Sequence, residues 1–228
     1  MRYIYIIMCV MLSCISSSAQ KAGDVINIKQ TEVDKYFYAT PIHDEVFQRM
    51  QGKSFPKNST TKRSDLRYIK VLHINKDGKT QVGEMVCHKN ISADLIDIFR
   101  KLYEAHYPIE RMVLIDDYDA DDERSMAANN TSCFNFRFVT GSRTKVSKHG
   151  MGMAVDLNPL YNPYVKGKKV QPEAGRSYAW NRDSTPAGGS WRGALITLSS
   201  LPYRLFTQHG FRWGGNWKTL KDYQHFEK

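Results

Sequence analysis

The pair Asp77-Gly78 limits the possible folds of this chain more than any other feature. It sits between two apolar-rich runs, 67–75 and 80–88. An Asp-Gly pair accepts the positive φ angles of a tight reversal, so the two runs are expected to pair as an antiparallel hairpin. A helix is expected next, from an N-cap at Ser92 to about His106. Leu95, Ile98, Phe99, Leu102 and Tyr103 recur on one face of it, and Pro108 cannot continue it.

Further strands are expected at 111–115, 133–139 and 150–159. A short helix is expected within 41–50, and another from Ser200 through Pro202 to His209, closed by Gly210. Residues 160–192, rich in Pro, Gly and Lys, read as a long loop. Hairpins, a few helices and no regular β-α-β alternation point to an α+β fold, a small and mostly antiparallel sheet with helices packed around it.

The first residues read as an address. Met1-Arg2, an apolar stretch over 4–15 and the small residues Ser16-Ser17-Ser18-Ala19 have the order of a secretory signal peptide cut after Ala19. Alternatively, Cys14 after Leu12-Ser13 is a lipidated N-terminus that anchors the protein to the cell envelope. Residues 20–65 then form an N-terminal extension and 66–228 one domain. No other stretch is apolar enough to span a bilayer. Export leaves Cys87 and Cys133, which either form a disulfide or stay as two buried thiols. Neither has a partner at C-x-x-C spacing, which argues against a thiolate metal site. Lys and Arg number 33 against 23 Asp and Glu, a net charge of +10. That surplus suits anionic envelope polymers, but no motif interleaves aromatic and basic residues as nucleic-acid binding requires.

The chemistry concentrates in residues 147–159. From Met151 onward, Met151, Met153, Val155 and Leu157 alternate with Gly152, Ala154, Asp156 and Asn158. One face is core; the other stays small until it presents a carboxylate, as a cavity floor does. His149 lies seven residues before Asp156, an odd offset that separates them on a straight strand, but Gly150 and Gly152 permit the bend that reunites them. An imidazole and a carboxylate both suit Zn²⁺. His225 near the C-terminus supplies a third ligand, leaving the open fourth position of a catalytic zinc site.

Ser147-x-His149-x-x-Gly152-x-Ala154-x-Asp156, followed by Asp222-x-x-His225, resembles the M15 zinc peptidases. Phe134-Asn135-Phe136-Arg137 and Trp213-Gly214-Gly215 strengthen the resemblance, which spans roughly residues 80–228. It implies a hedgehog-type peptidase fold with zinc in a cleft at the sheet, a catalytic domain over 66–228, ligands His149, Asp156 and His225, and Asp222 as general base. The family has an Arg where Arg137 stands, on the polar face of its strand, and a cation there stabilises the oxyanion of peptide hydrolysis; Arg143 is the rival. The implied substrates are peptidoglycan stem peptides, cut by a D-alanyl-D-alanine carboxypeptidase or an L-alanyl-D-glutamate endopeptidase. The dipeptidase branch has Glu where this chain has Asp222. A reading from another class is a zinc-containing wall-peptide binder without turnover. Ser147 is expected to bond a ligand, the substrate or only its own turn, and Asn158 to orient Asp156. Trp213 and Tyr223 line a substrate groove or pack in the core. His43, His73, His88, His106 and His209 read as structural or exposed.

Overall fold

The computed structural model describes residues 20–139, 141–180, 182 and 192–228. The expected signal peptide with Cys14, and part of the stretch 160–192, lie outside them. The first elements are β1 (Tyr38–Pro41), α1 (Asp44–Met50), β2 (Leu66–Ile74) and β3 (Thr80–His88). The hairpin forms as expected, with Ile74 opposite Thr80 and Leu66 opposite His88. Gly78 takes φ of 71°, and Asn75 Oδ1 accepts the N–H groups of Asp77 and Lys79, which closes the turn. β1 pairs with the other edge of β2, completing a three-stranded antiparallel sheet in the order β1-β2-β3.

The helix α2 (Lys89–Glu104) packs on this sheet through Ile91, Leu95, Ile98, Phe99 and Leu102, all buried. Burying each such side chain is worth about 1.5–3 kcal/mol. The helix begins earlier than expected. His88, still extended at the end of β3, turns its ring nitrogen to accept the N–H of Asn90, doing the work of an N-cap side chain. Ser92 lies inside the first turns and donates its hydroxyl to Lys89 O.

The strands expected at 111–115 and 133–139 do not form. Around 113 the Asn130 side chain stands in for a neighbouring strand, accepting from Val113 N and donating to Val113 O at 2.9 and 3.1 Å. Over 134–136, successive N–H groups go to Val86, His149 and Ser54, three separate stretches, so no ladder develops. The alternation of faces survives. Phe134 and Phe136 bury in a cluster with Ile42, Val46 and Met50, while Asn135 and Arg137 face Asp122 of α3 (Asp122–Ala127).

The remaining elements are β4 (Ala154–Asp156), β5 (Tyr164–Lys166), β6 (Lys169–Gln171), α4 (Leu201–Gln208), β7 (Arg212–Trp213), β8 (Lys221–Asp222) and β9 (His225–Glu227). They build two more three-stranded antiparallel sheets, β4-β9-β7 and β6-β5-β8. The architecture of the described residues is α+β, distributed over three small sheets rather than one. The stretch read as loop therefore holds a hairpin, β5-β6, turning at Gly167 with φ of 57°. Each of its strands buries only one valine, Val165 or Val170, and three exposed lysines obscure the pattern. α4 starts after Ser200 and ends before Gly210, although the Ser200 hydroxyl bonds Thr197 instead of the helix.

One large apolar core joins α2 to Val155, Leu157, Phe206, Phe211, Trp213 and Phe226. The C-terminal strand is thus anchored in the centre of the molecule. Trp213, 5 % exposed, belongs to this core. Cys87 and Cys133 are buried free thiols. Among the described residues, no helix is long and apolar enough to cross a membrane.

Candidate metal centre

β4 and β9 run antiparallel with Asp156 directly opposite His225. Such cross-strand neighbours have Cβ atoms only about 4.5–5.5 Å apart. The bend of Asp222-x-x-His225 is a link between β8 and β9, not a helical turn. His149 arrives from a turn preceding β4, in which Gly152 N bonds His149 O. Gly152 takes φ of +70°, and a Cβ there would lie 2.8 Å from His88 N, so only glycine fits this crossing. The odd offset between His149 and Asp156 is thus absorbed by a turn.

Three side chains then meet. His149 Nε2 lies 3.1 Å from His225 Nδ1 and 3.2 Å from Asp156 Oδ2, and His225 Nδ1 lies 3.1 Å from Asp156 Oδ1. All three side chains are nearly buried. Nitrogen and oxygen ligands about 2.0–2.1 Å from a tetrahedral zinc sit about 3.3 Å from one another. The observed edges fit that figure. The far nitrogen of each ring is already engaged: His149 Nδ1 bonds Cys133 O at 2.8 Å, and His225 Nε2 meets Glu227 Oε2 at 3.4 Å. With those nitrogens donating, two ring lone pairs and a carboxylate point into one small volume. They repel unless a cation or proton sits among them. His149, Asp156 and His225 therefore form a group that can hold a metal ion.

The electrostatics agree. Burial opposes charge on Asp156, but the two imidazoles outweigh it and hold its carboxyl well below the usual range. Burial likewise opposes charge on His225, yet the carboxylates of Asp156, Glu227 and Asp222 raise its pKa to about 10. The site thus favours positive charge at its centre.

Asp222 stands at the end of β8, with Oδ1 buried and without a hydrogen-bond partner among the described residues. Burial pushes its pKa up to about 7, opposed by His225 and reinforced by Asp156. Trp213-Gly214-Gly215 explains how it comes so near. A Cβ on Gly214 would lie 2.7 Å from Asp222 O, 2.8 Å from Asp222 Cβ and 3.3 Å from His225 Cβ.

Arg137 is half-buried, with Nε 3.2 Å from Asp122 Oδ2, and its charge reaches Asp222, favouring the ionised carboxylate. One expectation fails and another narrows to the last of its alternatives. Asn158 does not touch Asp156; at φ of 46° its amide donates to Pro108 O and accepts from Glu110 N, tying down the chain after β4. Ser147 Oγ accepts from Gly150 N within its own turn. Sequence reasoning missed Glu227. Its signal was the two-residue offset from His225, which places both on one face of a strand.

No solved structure matches the chain. Residues 140–228, which contain His149, Asp156, Asp222 and His225 but not Arg137, match the M15 peptidase family model described as D-alanyl-D-alanine carboxypeptidase, and the resemblance to the M15 peptidases is borne out over the segment that builds the site.

Proposed function

We propose that the protein is an exported, zinc-dependent peptidase of peptidoglycan stem peptides, acting as a D-alanyl-D-alanine carboxypeptidase on a hedgehog-type fold with zinc in a cleft. The observation that carries the reading is the convergence of His149, Asp156 and His225 beside Asp222, whose Oδ1 has no partner among the described residues. His149, Asp156 and His225 would hold the zinc, which would supply Lewis-acid charge and a more acidic water. Asp222 Oδ1 takes the proton from the attacking water and hands it to the leaving nitrogen. Its Oδ1, committed to no other group among the described residues, is available to accept that proton and return it. Arg137, steadied by Asp122, adds positive charge toward the oxyanion. The residue order over 1–19 supports export, with 20–65 as an extension and 66–228 as the catalytic domain.

The test is digestion of purified muropeptides with mass readout, with and without chelator. Release of a terminal alanine that stops with chelator and returns with zinc supports the reading. Internal scission reassigns the protein as an L-alanyl-D-glutamate endopeptidase. Unchanged muropeptides in the presence of zinc contradict a catalytic role.

A further inference from the structure

We infer that Glu227 is a positioning residue for the metal, selecting the ring nitrogen that His225 offers and holding that ring in place. This rests on the reading of His149, Asp156 and His225 as the ligands. A neutral imidazole has one protonated and one free nitrogen, and the acceptor facing one of them decides which is which. For His149 that acceptor is the Cys133 carbonyl, opposite Nδ1. For His225 it is the Glu227 carboxylate, opposite Nε2. The two rings thus present unlike nitrogens, Nε2 and Nδ1, to the same point.

The fold builds Glu227 for this place. β9 puts His225 and Glu227 on one face and turns Phe226 to the other, where it stacks on Phe206 with ring centroids 4.2 Å apart. The residue opposite Glu227 on β4 is Ala154, which leaves space beside the carboxylate. On the other side, β7 sets Arg212 opposite Glu227, and Arg212 donates to Oε1 at 2.7 Å. One carboxylate oxygen is held by the guanidinium; the other meets the imidazole. The Glu227 side chain is only 14 % exposed, so water competes weakly for it. Removing an acceptor behind a metal-bound histidine typically costs about 10–100-fold in metal affinity.

The experiment measures zinc affinity of the whole exported chain by competition with a chromophoric chelator, for the wild type, Glu227→Ala and Glu227→Gln. Glu227→Ala should bind zinc about 10–100-fold more weakly. Glu227→Gln keeps an oxygen acceptor and should recover most of the loss. A wild type that takes up no zinc refutes the metal reading itself. A wild type that binds, with Glu227→Ala equal to it, refutes only the role of Glu227, as does equal weakness in Ala and Gln. Nitrogen-15 spectra of the zinc-loaded wild type need no variant: His225 should carry its proton on Nε2, and a proton on Nδ1 overturns the inference.

Discussion

Replacing Asp222 by Asn should make the metal-free protein more stable while removing its activity. Asp222 Oδ1 is buried with no partner among the described residues, and burial raises the carboxyl pKa from 3.8 to about 7. Between those values the folded chain keeps a proton that the unfolded chain has released, so stability falls as pH rises through this window. A rise of that size, at about 1.4 kcal/mol per pH unit, amounts to about 4 kcal/mol above pH 7. Asn has nearly the same shape and no charge to desolvate. In chelator, urea unfolding should show Asp222→Asn more stable than the wild type at pH 8 by up to about 4 kcal/mol, with the gap closing toward pH 4. Hydrolysis by the zinc-loaded variant should fall by about 10²–10⁴. A gap that ignores pH, or a variant with unchanged turnover, refutes the reasoning.

Arg137→Ala should lower kcat by about 10²–10³ while zinc content stays constant, checked by steady-state kinetics beside metal analysis. Gly214→Ala forces a Cβ against Asp222 at 2.7 Å, so it should cost about 1–3 kcal/mol of stability in denaturant titration and displace the base, lowering turnover. Phe226→Ala empties a fully buried position between His225 and Glu227 and should cost about 3–5 kcal/mol. Because the same strand carries His225, zinc competition should also show weaker binding in that variant.

Much of the hairpin and of α2 was legible because their signals are local: an Asp-Gly reversal and a one-sided apolar repeat. The His88 cap was not, since a ring nitrogen becomes an N-cap only through the backbone direction that β3 imposes. Segment 111–115 has the apolar run of a strand and 133–139 the alternation of one, but a ladder also needs a partner of matching register. Their hydrogen bonds scatter instead among the Asn130 side chain, isolated positions of β3 and separate loops. At the site, residue types and the Gly-permitted bend were readable from 147–159. The pairing of Asp156 with His225, and the space that Gly214 leaves for Asp222, depend on contacts between distant stretches of chain. Asn158 shows the limit of parity arguments: its left-handed backbone turns the side chain away from Asp156, toward Pro108.

Zinc-edge X-ray absorption on protein loaded with one equivalent of zinc addresses the central claim most directly. The expected spectrum has two imidazole nitrogens and a carboxylate oxygen at about 2.0–2.1 Å, and it changes in His149→Ala and in His225→Ala alike. Sulfur in the coordination shell, or a spectrum indifferent to both substitutions, would contradict a centre built from residues 149, 156 and 225.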